Sequence, residues 1–260
     1  MIRLLACVPI LVATLASGAI RSEAIEYKHG DTTLRGHLVY DDAAEGKRAG
    51  VLVVPEWWGL NDYAKSRAEQ LARLGYVAFA VDMYGEGKVA ADPAGAKALA
   101  GPLYADAARM RGRAAAGLAV LAGRPEVDAS RIAAIGYCFG GTVALELARS
   151  GAELAAVVSF HGGLKAIGSV AEEGLKPRIL VLHGAEDPMV PAAEVQAFEA
   201  EMKAAKADYE LVSYGGAVHA FTNPGVDKVG LPGARYDAKA DARSWTQMRT
   251  LFSETIDGEG

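Results

Sequence analysis

The chain has 260 residues, 51% hydrophobic and 23% charged, with a formal net charge of -5; this is enough apolar material for one large core and too much for a disordered segment. No Lys/Arg block occurs, which removes the electrostatic footprint of a nucleic-acid or anionic-lipid binder. The only cysteines are Cys7 and Cys138, with no Cys-x-x-Cys pair, so neither a disulfide framework nor a zinc ribbon can be built.

At the N-terminus, Arg3 precedes an almost uncharged apolar run over residues 4–20 that ends in small residues around Ala16-Ser17-Gly18-Ala19, the layout of a secretory signal. Cleavage could follow Ala19, with Ser17 at minus three, or Ala24, with Ser22 at minus three. We place the boundary after Ala24, giving a signal peptide over residues 1–24 and one domain over residues 25–260. An uncleaved anchor fits less well, because the apolar run contains Pro9 and is shorter than the ~20 residues of a comfortable membrane helix. The expectation is an exported protein, periplasmic or secreted, free of the membrane after cleavage and monomeric. Its one remaining cysteine, Cys138, then has no intramolecular partner in an oxidising compartment.

Residues 33–40 alternate as an edge strand, and the polar turn at 41–48 would fold them into a hairpin with the next strand. Residues 49–55, AGVLVVP, form a continuous apolar run of the kind seen when helices cover both faces of a parallel sheet. Asn61 or Asp62 can cap a helix to residue 73, stopped by Gly75, and residues 76–81 make another strand. An Ala-rich helical region follows over residues 93–121, broken near Gly101-Pro102. Strands at 131–137, 154–159, 178–183 and 209–214 then alternate with helices at 140–149, 192–206 and 238–256. Repeated strand–helix alternation predicts a doubly wound α/β domain with a mostly parallel sheet and helices on both faces.

Chemistry concentrates at Gly136-Tyr137-Cys138-Phe139-Gly140-Gly141, between an apolar strand and a helix. In such an elbow the glycines relieve crowding around a nucleophile in a strained backbone conformation, and the helix N-terminus supplies positive potential. The pattern is Gly-x-Cys-x-Gly, with cysteine where serine is usual. An elbow of this kind needs an acid and then a histidine at later strand ends. Asp187 follows the strand ending at His183-Gly184, with Glu186 as its competitor, and His219 follows the next strand. His29, His37, His161 and His183 read as hydrogen-bonded structural histidines. Glu56 lies between a Val-rich strand and Trp57-Trp58, and is either buried with a partner or functional.

These segments resemble the dienelactone hydrolases, α/β-hydrolases with a Cys-His-Asp triad, from about residue 26 to the C-terminus. The resemblance rests on Pro55-Glu56-Trp57-Trp58-Gly59-Leu60, Asp82-Met83-Tyr84, Ile135-Gly136-Tyr137-Cys138-Phe139-Gly140-Gly141, His183-Gly184 with Asp187, and His219-Ala220-Phe221. It implies hydrolysis of an enol-lactone or related ester through a thioester acyl-enzyme, with no metal or organic cofactor. Carried over, Cys138 is the nucleophile, His219 the general base and Asp187 the group that orients it. The N–H groups of Trp57 and Phe139 would hold the oxyanion, and Glu56 would contact the resting thiol. Among the nearby aromatics, Trp57 and Tyr84 are expected to face the substrate.

The chain departs from the family where substrate carboxylate is read. Members acting on dienelactone place one arginine shortly after the Asp-x-Tyr turn and one four residues after the histidine. Here the stretches read Gly85-Glu86-Gly87-Lys88 and Thr222-Asn223-Pro224. A flexible lysine lacks the guanidinium fork that clamps a carboxylate, so the expected substrate is a less charged small-molecule ester or lactone. Two competing readings are a thiol redox or sensor protein built on Cys138, which gives His219 and Asp187 no role, and a catalytically silent binding module on the same fold.

Overall fold

The structure is a computed structural model describing residues 19–258 apart from residue 173. Most of the expected signal segment lies outside the described residues. In chain order the elements are β1 (Ile20–His29), β2 (Thr32–Asp41), β3 (Arg48–Val54), α1 (Asp62–Arg73), β4 (Val77–Ala80), α2 (Pro93–Tyr104) and α3 (Ala107–Ala122). There follow β5 (Val127–Tyr137), α4 (Phe139–Arg149), β6 (Ala156–Phe160), β7 (Arg178–Gly184), α5 (Ala192–Ala204), β8 (Tyr209–Tyr214) and α6 (Ala238–Thr255). The strands form one eight-stranded sheet in the order β1-β2-β4-β3-β5-β6-β7-β8. Pairing is parallel from β4 through β8 and antiparallel at β1–β2 and β2–β4. This is the α/β-hydrolase architecture.

Side chains alternate across a strand, so the apolar runs feed two cores. Leu52 and Val54 of β3 join Phe79, Val143, Leu147 and Phe198 on the face covered by α2 to α5. Val51 and Val53 join Ala68, Leu71, Ile135, Val158, Met248 and Phe252 on the face covered by α1 and α6. Helix starts follow their capping residues: Asn61, Asp92, Asp106 and Asp237 each accept a backbone N–H of the first turn. α4 is different, because Cys138 stands at its N-cap and makes no side-chain cap.

The N-terminal hairpin differs from the expected one. Residues 20–24, assigned above to the signal segment, are the first half of β1 and pair from Ile20↔Asp41 to Ala24↔His37. β2 therefore has neighbours on both sides, and residues 41–48 carry the chain past β4 to β3. β1 eluded the periodicity because it is an edge strand whose one buried residue is Tyr27. Its ring packs on Phe79 at 5.6 Å. The helical break also moves: α2 continues through Pro102, and Asp106 starts α3.

One buried ion cluster ties α4 to the segment after β6. Glu146 is fully buried and accepts from Arg149 at 3.1 Å and from the backbone N–H groups of Ile167 at 2.9 Å and Gly168 at 3.2 Å. Arg111 of α3 lies 2.8 Å away, and Arg149 also bonds Glu201 at 2.7 Å and the Leu164 carbonyl at 2.9 Å. Removing one member of such a cluster leaves buried charge unpaired, which costs about 3–5 kcal/mol. Glu146→Ala is therefore expected to lower the urea midpoint by that equivalent and to open the segment around Ile167 to proteolysis. An unchanged midpoint would show the cluster to be energetically neutral.

Candidate active site

The turn from β5 into α4 is built by steric exclusion. Cys138 adopts φ 53° and ψ -117°, a left-handed conformation that costs a non-glycine residue on the order of 1–3 kcal/mol. A Cβ at Gly136 would lie 1.9 Å from the Gly140 carbonyl oxygen, and one at Gly140 would lie 2.2 Å from the Val54 carbonyl oxygen. Only glycine at both positions lets α4 approach β3 this closely. The elbow sets the Cys138 sulfur at the positive end of α4.

His219 and Asp187 come from the loops after β8 and β7. His219 Nε2 lies 3.1 Å from Cys138 Sγ, and its Nδ1 lies 2.8 Å from Asp187 Oδ2. Both residues are buried, whereas Glu186 is exposed; Asp187 alone of the two carboxylates reaches the imidazole. The second Asp187 oxygen accepts the Met189 N–H at 2.8 Å. The His219 backbone is held by Gly233 and Arg235 at 3.1 Å each. Burial opposes charge on His219, but the adjacent Cys138 sulfur and the Asp187 carboxylate outweigh it and raise the imidazole pKa to about 10.

Beside this array lies a cavity of about 260 Å³ with mostly apolar walls, including Trp57, Trp58, Met189, Val226 and Leu231, with Cys138, His219 and Glu56 also facing it. A second lobe of about 530 Å³ shares Tyr104, Gly163 and Met189 with it. A larger cleft of about 690 Å³ lies at the opposite end of β3, around Arg48, Arg131 and Arg249, and is lined by no cysteine or histidine. The N–H groups of Trp57 and Phe139 donate to no protein acceptor among the described residues, leaving both available as donors.

Tyr84, expected to face substrate, does not line the cavity. Asp82 draws it inward by accepting the backbone N–H groups of Tyr84 and Gly85 at 2.8 Å each. The Tyr84 hydroxyl then donates to the Trp57 carbonyl at 2.8 Å, so Tyr84 braces Trp57 from behind. Lys88 is also outside the cavity lining and pairs with Glu86 at 3.2 Å. The lining residues Tyr104, Met189, Val226 and Leu231 carried no sequence signal, since they sit at a helix end or in irregular loops.

Around Cys138 and His219 lies a further ring of polar contacts. His161 Nδ1 accepts the Cys138 N–H at 3.1 Å, and its Nε2 lies 2.7 Å from the Thr222 hydroxyl. Glu56 is buried and accepts from the Asn223 amide at 2.6 Å; its expected contact with the thiol is replaced by this bond, while the sulfur faces His219.

Burial, partly offset by the Asn223 bond and the nearby His219, lifts the Glu56 pKa from 4.5 to about 7. Between those values the folded chain holds a proton that the unfolded chain has lost, so this group's contribution to stability falls as pH rises. The urea midpoint of the parent is expected to drop relative to Glu56→Gln between about pH 5 and pH 8. A constant difference across that range would show that Glu56 titrates normally.

The family model described as the dienelactone hydrolase family matches residues 34–256. A crystal structure described as a dienelactone hydrolase-like promiscuous phosphotriesterase from metagenomic libraries is 44% identical, covers 93% of this chain and 100% of its own, and superposes with a TM-score of 0.87. An uncharacterised Caenorhabditis elegans protein is 38% identical over 150 residues, covering 57% of this chain and 95% of its own. A Yersinia pestis protein provisionally named carboxymethylenebutenolidase is 28% identical over 231 residues, covering 85% of this chain and 84% of its own. With the elbow, the strand order and this match over most of its length, the chain belongs to the dienelactone hydrolase family.

Proposed function

We propose that this protein hydrolyses neutral carboxylic esters or lactones through a thioester acyl-enzyme on Cys138. The observation carrying this reading is the continuous contact from Cys138 Sγ to His219 Nε2 at 3.1 Å and from His219 Nδ1 to Asp187 at 2.8 Å. Cys138 passes its thiol proton to His219, whose charge Asp187 and the sulfur both favour. Sulfur attacks the ester carbonyl, and the developing oxyanion takes hydrogen bonds from the N–H groups of Trp57 and Phe139. The carbon–oxygen bond to the leaving alcohol breaks as His219 returns its proton to that oxygen. His219, neutral again, then deprotonates a water that attacks the thioester, and as the carbon–sulfur bond breaks His219 returns that proton to the departing sulfur, releasing the acid and restoring the thiol.

Substrate charge follows from the walls. The residues around the cavity supply one carboxyl, Glu56, and no arginine or lysine. A substrate carboxylate beside Cys138 would meet no cation other than His219 in these walls, the Lys165 of the adjoining lobe being accompanied there by Glu194, and would stay poorly paired in a largely apolar cavity. The similar metagenomic protein is named for phosphotriester hydrolysis, so a neutral phosphotriester belongs in the same substrate panel. A redox or sensor role for Cys138 makes no use of His219 or Asp187, and the ordered acid–base pair on the sulfur favours the hydrolase.

An activated neutral ester and a neutral lactone are expected to turn over, with an acyl adduct on Cys138 visible by intact mass. Cys138→Ala and His219→Ala should each lose about a thousandfold or more while remaining folded. The neutral lactone should exceed an anionic dienelactone by about tenfold or more in kcat/KM. Retained turnover in Cys138→Ala removes the thioester route, and preference for the anion removes the neutral-substrate reading.

We further propose export with cleavage after Ala19. That site leaves β1 whole, whereas cleavage after Ala24 would remove residues 20–24 and half of its pairing with β2. Intact mass of protein recovered from outside the cytoplasm is expected to place the N-terminus at Ile20. An N-terminus at Ile25, or an unprocessed chain, overturns it.

A further inference from the structure

The proposed chemistry leaves two buried histidines unused, His161 and His183, and the position of His161 ties it to the nucleophile's backbone. His161 follows β6 and is 1% exposed. The Cys138 N–H donates both to the Phe160 carbonyl, at 3.0 Å, and to His161 Nδ1, at 3.1 Å. The first bond continues the β5–β6 ladder; the second is supplied by a side chain. We propose that His161 is a positioning residue for the nucleophile: by accepting the Cys138 N–H, it fixes the strained peptide plane that aims the sulfur at His219. The inference rests on the reading of Cys138 as nucleophile.

Three further observations support this role. With Nδ1 accepting from Cys138, the ring carries its proton on Nε2 and donates it to Thr222 Oγ1 at 2.7 Å. Thr222 is itself held: its hydroxyl lies 2.6 Å from the Tyr63 hydroxyl, and its carbonyl accepts from Arg67 at 2.7 Å. Arg67 is buried and paired with Asp241 at 2.7 Å. The acceptor on Cys138 is thus the end of a chain of bonds anchored on α1 and α6. Second, the His161 ring packs edge-on against His219 with centroids 5.4 Å apart, so the same side chain touches both partners of the sulfur–imidazole contact. Third, His161 is itself left-handed, at φ 41°, a conformation that a β-carbon residue adopts at a cost. Burial, with the charges of His219 and Arg67, holds the ring neutral, the only form in which Nδ1 can accept.

A packing role and a positioning role are separable by substitution. Asn tolerates the left-handed backbone and presents an oxygen close to the Nδ1 position; Leu fills similar space and accepts nothing. Displacement of a reacting group on the order of 1 Å can cost about a hundredfold in rate. With an activated neutral ester, His161→Leu is expected to lower kcat by about tenfold or more with KM within about twofold, and His161→Asn to return kcat to within about threefold of the parent. Alkylation of Cys138 by iodoacetamide should follow the same order. Folded His161→Leu with parental kcat and alkylation, or His161→Asn as slow as His161→Leu, overturns the proposal. Should His161→Leu not fold, Thr222→Val removes the Nε2 acceptor instead. A kcat about threefold or more below the parent at unchanged KM then supports positioning, and a parental kcat rejects it. Iodoacetamide needs no ester, so a parent that alkylates but hydrolyses nothing rejects the hydrolase reading, and the alkylation rates alone decide the role of His161.

Discussion

The close approach of α4 to the end of β3 is the constraint on which the site depends. It exists because Gly140 brings its backbone against the Val54 and Pro55 carbonyls, where any Cβ would collide. From that approach follow the left-handed Cys138, the placement of sulfur at a helix N-terminus, and the nearness of the Phe139 N–H to the Trp57 loop. A strained residue of this kind persists only when its surroundings over-determine it. Here the surroundings are the β6 ladder on one side of the Cys138 N–H and His161 on the other. The α4 N-cap carries no side-chain acceptor, so cap stabilisation of about 1 kcal/mol is forgone and the thiol is left to His219.

Most of the remaining chemistry is concentrated in one loop. The segment after β8 supplies His219, then Thr222 to His161, then Asn223 to Glu56. Its backbone is crossed by bonds to Gly233, Arg235 and Asp237, and Ala220 adopts φ 55°. The proposed base, the partner of His161 and the partner of Glu56 therefore move together if they move at all. Asp187 lies on a different loop, also latched to this segment by the Glu186 N–H bond to the Ala217 carbonyl.

The legible part of the molecule was the part with local physical signatures. The continuous apolar runs place β3 and β7 to within a residue or two, and the capping pair Asn61-Asp62 places the start of α1, with Asn61 as the cap. The elbow could be read because its glycines, cysteine and flanking strand are contiguous. Asp187 and His219 could be read from their order at strand ends, a rule of topology rather than of spacing. β1 could not, since an edge strand with exposed Arg21, Ser22 and Glu26 has no apolar periodicity and follows directly on an apolar leader-like run. For Tyr84, motif membership says that a residue is near the site, while four Asp82 contacts with Arg35, Tyr84, Gly85 and Gly87 decide which way the turn points. The partners of His161 lie 23 and 61 residues away in sequence and that of Glu56 lies 167 away, and no single-chain pattern encodes such pairings.

The two carboxyl groups near His219 divide the electrostatic labour. Asp187 accepts the imidazole N–H and a backbone N–H, one on each carboxyl oxygen, and in the proposed chemistry is the counter-charge to imidazolium. Glu56 is buried with a neutral amide as its hydrogen-bond donor, and its pKa of about 7 leaves it substantially protonated near neutrality. Were Glu56 fully anionic, it would compete with the Cys138 sulfur for the attraction of His219. A neutral Glu56 leaves that charge to sulfur and Asp187, and an apolar substrate that displaces water from the cavity disfavours the carboxylate further. The absence of an arginine at the Asn223 position then has two linked consequences: it removes a cation that could bind an anionic substrate, and it lets the buried carboxyl discharge itself in the presence of a neutral one.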